Sequence, residues 1–225
     1  MRGKKLYTDI VVKDETGYIV VELKYKTPET NDMMYYNVNN EKIYLFPQGA
    51  ENKGSYSYWK DVKRLEKLVN GTIPLNFDKN KEVVRGYAVL LTNAKKYWDS
   101  KAHNNFSTSL ARELYPIEAT HVNNKVLCYR VAFDKRGGRL RRGENAAWFD
   151  PIDTQSKAQK YYPNGADAKE HYPIKIEGNY TCTWETYLKL TCYLLNGERE
   201  PKGDEFKYLI LEINKLQDNP YEKLF

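Results

Sequence analysis

Two runs of β-branched residues, separated by a short polar turn, lie near the start of the sequence. The first run is Ile-Val-Val at residues 10–12, and the same three residue types recur in the run at residues 19–21. β-Branched residues favour strands, and the intervening Asp-Glu-Thr-Gly at residues 14–17 is typical of a turn. We therefore predict an antiparallel hairpin of strands 6–13 and 18–25. Because both runs are continuous rather than alternating, we expect the hairpin to be buried on both faces, at the centre of its sheet.

A helix and a strong strand follow the hairpin. Residues 57–69 place apolar side chains on one helical face: Trp59, Val62, Leu65, Leu68 and Val69. Ser55 or Ser57 is the expected N-cap, and Asn-Gly at residues 70–71 is the expected end. A strand is predicted at residues 83–92. The order strand, strand, helix, strand indicates an α/β sheet in which the helix crosses over to a parallel strand.

The remaining sequence carries weaker patterns. They predict a short strand at 42–46, a helix at 98–115, strands at 126–133, 174–176 and 206–213, and a long irregular segment at 134–168. Residues 184–195 fit a strand or a helix equally well. A length of 225 residues suits a single domain. We expect a core in residues 6–92 and an elaborated, β-rich C-terminal part in residues 93–225 that completes the sheet.

Composition and motif content argue against several classes of protein. No stretch approaches 18 apolar residues, and no apolar segment follows the charged N-terminus, so we expect a cytoplasmic protein without a membrane segment. The three cysteines lack CxxC spacing and the three histidines are widely separated, which disfavours a disulfide framework and a zinc site. Phosphate-loop, dinucleotide-binding and GxSxG motifs are absent. The net charge of +6 mildly favours a polyanionic partner.

The residues that point to chemistry are charged groups on the predicted hairpin. Asp9 lies early on the first strand, and Glu22 and Lys24 lie late on the second, on one face because strand side chains alternate. The turn is centred near residues 15–16, which would bring Asp9 close to Glu22. Charges in an apolar strand are costly to bury, so we expect them to have a function. The alternative is that they pair internally, as a buried Glu22–Lys24 or Asp9–Lys24 bridge.

Two carboxylates beside a lysine suit the hydrolysis of a phosphodiester. Carboxylate oxygens are ligands that Mg²⁺ prefers. The ion polarises a phosphate, stabilises the charge of an in-line displacement and lowers the pKa of a bound water, while a lysine positions or activates that water. The triplet alone is a weak signal, because the sequence contains seven (Asp/Glu)-x-Lys triplets. Only the triplet at Glu22 lies in an apolar strand with an upstream acid on a hairpin partner.

The order Asp9, then Glu22-Leu23-Lys24 across a hairpin, then a helix and the strand at 86–92, resembles the PD-(D/E)XK nuclease superfamily. The resemblance implies a restriction-endonuclease-like α/β fold, with a mixed central sheet flanked by helices. It also implies that Asp9 and Glu22 bind Mg²⁺ or Mn²⁺ and that Lys24 assists the attacking water. In the superfamily a helix and a first strand precede the acid-bearing strand, whereas eight residues precede Asp9 here. We therefore expect either that these two core elements are missing or that another element takes their place.

The wider pattern is similar to a group of uncharacterised bacterial proteins with this core. The segments that carry this similarity are residues 9–12, 22–27, 48–50, 61–66 and 91–93. In the superfamily the helix after the Glu-x-Lys strand can extend the active site, so Asp61 or Arg64 would face it. Gln48, just before that helix, would bind a phosphate or a water. The alternative for Asp61 and Arg64 is a solvated polar face of the helix.

A basic segment is the expected contact with nucleic acid. Residues 135–142 hold five basic side chains and no acid: Lys135, Arg136, Arg139, Arg141 and Arg142. Arginine forks suit phosphates, and contacts of this kind give affinity without sequence readout. The alternative is a solvated hairpin turn.

These patterns predict a metal-dependent endonuclease that acts on DNA, with RNA as the alternative polymer. Two other functions stay open from the sequence. The first is a catalytically inactive or incomplete nucleic-acid-binding protein of the same fold, and the second is a structural or interaction protein. A further alternative is that a homodimer or a partner chain completes the site.

Overall fold

The structure is a computed structural model that describes residues 8–27, 34–38, 41–45, 51–75, 81–98, 126–133, 140–149, 174–189, 191–194 and 205–216. The elements in chain order are β1 (Ile10–Lys13), β2 (Tyr18–Lys26), β3 (Met34–Val38), β4 (Glu41–Leu45), α1 (Glu51–Val69), β5 (Val83–Thr92), a 3₁₀ turn (Lys95–Tyr97), β6 (Val126–Phe133), β7 (Leu140–Phe149), β8 (Ile174–Lys175), β9 (Trp184–Lys189), β10 (Thr191–Leu194) and β11 (Glu205–Asn214). The described part of the chain therefore has mixed α/β character.

A five-stranded mixed sheet has the strand order β1-β2-β5-β11-β9. β2 and β5 run parallel, with Val20 opposite Gly86, and the other neighbouring strands are antiparallel. α1 lies in the connection between β2 and β5, and it packs against β5, β11 and β2. The predicted crossover from the hairpin through a helix to a parallel strand is therefore confirmed.

The main core lies between α1 and one face of this sheet. Trp59, Val62 and Leu65 enter it from the helix and are almost completely buried. Gly86 on β5 permits a close approach, because a Cβ at this position would lie 3.3 Å from the side chain of Leu65. All five apolar residues of the predicted helical face are buried. Burial of this stripe, which contributes about 25 cal/mol per Å² of apolar surface, holds α1 on the sheet.

α1 begins at Glu51, earlier than predicted, and ends where the sequence indicates. Ser55 and Ser57 lie inside the helix, so the predicted N-cap is wrong. The first turns are fixed by tertiary packing: Gly54 lies against the Tyr97 ring, and a Cβ there would come within 2.1 Å of the Tyr97 hydroxyl oxygen. Local propensity gives no sign of this start, because the contact joins residues that are distant along the chain.

The hairpin of β1 and β2 forms as predicted, but it lies at the edge of the sheet. Its register pairs Ile10 with Val21 and Lys13 with Tyr18. β1 is a terminal strand, and the side chains of Ile10 and Val12 are 43% and 48% exposed. The prediction of a central hairpin buried on both faces is therefore wrong. A continuous apolar run does not separate the two cases, because elements elsewhere in the chain decide what covers the second face.

The other described strands form two three-stranded antiparallel sheets, in the orders β10-β3-β4 and β7-β6-β8. β5 and β6 have the predicted bounds, β8 ends one residue earlier than predicted, β4 is shifted by one residue towards the N-terminus, and β11 is one residue longer at each end. Residues 184–195 contain two strands, β9 and β10. β7 lies within residues 134–168, so the prediction of an irregular segment is wrong there, because this strand pairs antiparallel with the preceding strand β6.

Two further expectations concern helices. The predicted helix at 98–115 lies outside the described residues except for Trp98, which follows the 3₁₀ turn. Within the described ranges, no helix has both the length and the apolar character needed to cross a membrane.

Candidate functional site

Five charged side chains converge where β2 faces α1. Asp9 lies just before β1, Glu22 and Lys24 lie on β2, and Asp61 and Arg64 lie on α1. We call this group the charged cluster. With every member ionised it holds three negative and two positive charges.

The pleat of β2 determines which of its side chains enter the cluster. Glu22 and Lys24 point towards α1, whereas Leu23 between them is exposed on the opposite face of the sheet. Glu22 is only 4% exposed, and its neighbour on the parallel strand β5 is the small residue Ala88. The alternation expected from the sequence is therefore what the structure shows.

Asp9 reaches the cluster through the register of the hairpin. Because Ile10 pairs with Val21, the residue before Ile10 lies beside Glu22. The Asp9 Oδ2 atom accepts a hydrogen bond of 2.7 Å from the backbone N–H of Leu23. This bond fixes an acid next to the buried carboxyl group, as the sequence expectation required.

Asp61 and Arg64 supply the partners of the β2 charges from one turn of α1. Lys24 Nζ lies 2.6 Å from Asp61 Oδ2, and Arg64 Nη2 lies 3.1 Å from Asp61 Oδ1. The same Arg64 nitrogen forms an ion pair with Glu22 Oε2. The solvated polar face that was the alternative for these helix residues is therefore excluded. In the described residues, the partners of Glu22 and Lys24 are helix side chains rather than each other.

The electrostatic environment of Glu22 is unusual for a carboxyl group. Burial raises its pKa, the Arg64 guanidinium lowers it, and the carboxylates of Asp61 and Asp9 raise it again, to about 7. A cation placed beside Glu22 would favour the ionised form.

One oxygen of Glu22 has no hydrogen-bond partner among the described residues. Oε2 meets Arg64, whereas Oε1 is buried without a hydrogen bond, and Arg64 Nε is also buried and unpaired. An unpaired charged acceptor in the interior is destabilising, so such an atom calls for an explanation. A cation or a donor brought in by a ligand would satisfy it.

The residues present fit Mg²⁺. This ion is typically held by one or two carboxylates and completes its shell with water and phosphate oxygens. Glu22, with its unpaired Oε1, and Asp9 are such a pair. Within the ranges that the structure describes, no group of three or more His, Cys, Asp or Glu side chains is arranged to hold a metal.

A second buried carboxylate, Glu66, belongs to a different network. Its Oε1 accepts hydrogen bonds from the backbone N–H groups of Glu177 and Gly178 and from the Tyr180 hydroxyl group. Lys63 Nζ lies 3.1 Å from its Oε2. All of these donors come from the protein, so the network clamps the segment after β8 to α1. The sequence does carry a signal for this network, because Glu66 is an acidic residue that lies at helical spacing within the apolar stripe of α1.

The other residues singled out from the sequence lie outside the described residues or are described by their backbone alone. Gln48, Lys135, Arg136 and Arg139 lie outside the described residues. Arg141 and Arg142 lie on β7, where their backbones pair with Ala132 and Val131 of β6.

Comparisons with known proteins give no relative from which a function could be transferred. The chain matches no family model, no curated protein and no solved structure. Its function is therefore argued from the geometry of the charged cluster.

Proposed function

We propose that this chain is a divalent-metal-dependent nuclease of restriction-endonuclease-like fold that hydrolyses phosphodiester bonds of DNA. The observation that carries the proposal is that Asp9, just before β1, lies beside Glu22 and Lys24 of β2, where one buried oxygen of Glu22 has no hydrogen-bond partner among the described residues. Burying an acid in this way destabilises the protein, and a catalytic role would explain it.

Asp9 and Glu22 are the residues that would hold Mg²⁺ or Mn²⁺. The bound ion would supply Lewis-acid stabilisation of the charge on the phosphate and a water of lowered pKa. The protein contributes a fixed position for both carboxylates: the Leu23 N–H group orients Asp9, and the packing of β2 under α1 orients Glu22.

Lys24 is the residue that would assist the attacking water. Its ammonium group lies at the partly exposed side of the cluster, and Asp61 holds it at 2.6 Å. A positioned ammonium group can orient a water and stabilise negative charge as it develops on a phosphate. Asp61 is a positioning residue in this scheme, since it acts through Lys24.

The topology also supports the proposal. An acid-bearing hairpin, a crossover helix and a parallel strand follow one another, which is the order that the resemblance to the PD-(D/E)XK superfamily requires. The net charge of +6 favours a polyanionic substrate. The basic segment at 135–142 remains the proposed source of phosphate contacts outside the cluster.

The test is cleavage of supercoiled plasmid and single-stranded DNA in Mg²⁺ or Mn²⁺, with EDTA as the metal-free condition. Lys24→Ala should lower the cleavage rate by at least about a hundredfold, the usual scale for a positioned proton-transfer group, with little change in melting temperature. Lys67→Ala, at an exposed position on α1, is the matched control and should cleave like the wild type. Undiminished cleavage by Lys24→Ala would refute this assignment of the site.

A second candidate is a nucleic-acid-binding protein without catalysis. The observation that favours the absence of catalysis is that the Lys24 ammonium group, which would have to assist a water, is held in an ion pair with Asp61. This candidate predicts salt-dependent binding of DNA in EDTA, with a linear fall of log K against log salt, and no cleavage in Mg²⁺.

A further inference from the structure

The charged cluster contains one unpaired acceptor and one unpaired donor in the same buried network. Glu22 Oε1 and Arg64 Nε both lack a hydrogen-bond partner, although the two side chains are joined through Oε2 and Nη2. The two atoms require opposite kinds of partner, because the oxygen requires a cation or a hydrogen-bond donor and the N–H group requires an acceptor. A divalent cation that carries a phosphate provides both.

Arg64 also has a second partner that it can keep if it leaves Glu22. Its Nη2 lies 3.1 Å from Asp61 Oδ1. The Arg64 side chain is 25% exposed, so it can turn towards solvent without crossing the core. Glu22, in contrast, is buried on a strand and cannot follow it. The Glu22–Arg64 ion pair can therefore open by movement of Arg64.

We propose that Arg64 is an exchangeable counter-ion, which neutralises Glu22 in the metal-free protein and moves to the substrate phosphate when a divalent cation takes its place. The inference rests on the proposed function and gives a role to a residue outside the Asp9, Glu22 and Lys24 set. Arginine suits the second position, because its planar fork matches a phosphate in two-point contact.

This exchange couples two binding events. A cation at Glu22 Oε1 and the Arg64 guanidinium at Oε2 are like charges on one carboxylate, so metal binding alone weakens the Glu22–Arg64 ion pair. Phosphate binding offsets that loss, since it gives the released guanidinium a new partner. Metal and phosphate therefore bind with positive cooperativity, and by linkage each raises the affinity for the other by the same factor.

The first measurement is a titration of the full chain with Mn²⁺ in the absence of nucleic acid. Electron paramagnetic resonance measures the concentration of free Mn²⁺ at each step. Arg64→Met removes the competing cation, and we expect it to bind Mn²⁺ roughly tenfold more tightly, within the usual range of coupling between sites. Arg85→Met is the matched control, because Arg85 is an exposed arginine paired with Glu212, away from the cluster, and it should leave the affinity unchanged.

The second measurement repeats the Mn²⁺ titration with inorganic phosphate as the probe. In the wild type, phosphate should tighten Mn²⁺ binding several-fold, and in Arg64→Met this enhancement should disappear. Arg64→Lys keeps the charge but lacks the fork, so it should hold the wild-type Mn²⁺ affinity while losing most of the enhancement. If Arg64 only stabilised the fold, Arg64→Lys would not keep the Mn²⁺ affinity while losing the enhancement by phosphate.

The outcomes separate the inference from the function on which it rests. Mn²⁺ binding to the wild type that phosphate does not strengthen would overturn the role of Arg64 and leave the metal site standing. This arm needs no variant, so it holds even if Arg64→Met fails to fold. No Mn²⁺ binding to the wild type at millimolar concentration would overturn both the inference and the proposed function.

Discussion

At the scale of the residue, Glu22 is the side chain whose properties depend most on its surroundings. The carboxyl group is ordinary in the sequence, yet the fold buries it, pairs one oxygen with Arg64 and leaves the other unpaired. Its pKa rises to about 7 mainly because burial disfavours the charged form. Such a group makes the stability of the metal-free protein depend on pH.

The direction of that dependence follows from the raised pKa. The folded state binds the Glu22 proton more tightly than the unfolded state, whose value is near 4.5. The contribution of Glu22 to stability is therefore fully present below pH 4.5 and is lost as the pH rises through 7. We compare the free energy of unfolding of the wild type with that of Glu22→Gln. The difference, wild type minus variant, should fall by on the order of 3 kcal/mol between pH 4.5 and pH 7.

Urea unfolding in EDTA at a series of pH values would measure this difference. Glu212→Gln is the control, since Glu212 is an exposed carboxyl group on β11, and its difference from the wild type should stay nearly flat. A wild-type minus Glu22→Gln difference that is flat between pH 4.5 and 7 would contradict the raised pKa.

At the scale of the element, α1 is fastened to the rest of the protein by more than its apolar stripe. Glu66, 1% exposed, sits within that stripe and accepts three hydrogen bonds from the segment after β8, while Lys63 balances its charge. The clamp holds the helix that carries Asp61 and Arg64. A change at Glu66 therefore acts on stability first and on the charged cluster through it.

Glu66→Ala should lower the free energy of unfolding by about 3–5 kcal/mol, because it leaves the backbone donors of Glu177 and Gly178 without their acceptor and leaves Lys63 with Glu177 as its one remaining carboxylate partner among the described residues. Lys67→Ala, at the next position of the same helix but exposed, should change it by less than about 0.5 kcal/mol. Denaturant unfolding of the two variants beside the wild type gives both values. Equal stability of Glu66→Ala and Lys67→Ala would show that the clamp contributes nothing.

At the scale of the whole molecule, the two faces of the five-stranded sheet differ. α1 covers one face, and the other carries apolar side chains in register across the strands: Leu23, Val89 and Ile210 form one such row. Leu23 and Ile210 are 49% and 48% exposed, and Ile10 and Val12 continue the apolar surface on β1. Contiguous apolar surface of this kind is uncommon on a monomeric protein.

This surface should bind an apolar dye in the folded state. We expect the double variant Val12→Thr, Ile210→Thr to reduce the fluorescence of bound anilinonaphthalene sulfonate clearly, while its melting temperature stays close to that of the wild type, because both side chains are already exposed. The pair Lys13→Thr, Asn214→Thr replaces polar groups by polar groups and should leave the fluorescence unchanged. Equal dye binding by the wild type and the apolar-to-threonine variant would contradict the prediction.

The sequence by itself determined the local elements and the periodicity of their faces. The bounds of β5 and β6, the end of α1, its buried stripe and the alternation of Glu22 and Lys24 all follow from spacing, because neighbouring residues set these features. The pairing of the hairpin also followed, since a short turn fixes its register.

Only the tertiary structure decided what those faces meet. It placed the apolar hairpin at an edge, started α1 against Tyr97, and gave Glu22 and Lys24 the helix partners Arg64 and Asp61. Each of these contacts joins residues far apart in the chain, so its energy depends on how the helix and the sheet pack rather than on local spacing. The raised pKa of Glu22 arises in the same way, because desolvation exists only once α1 covers β2.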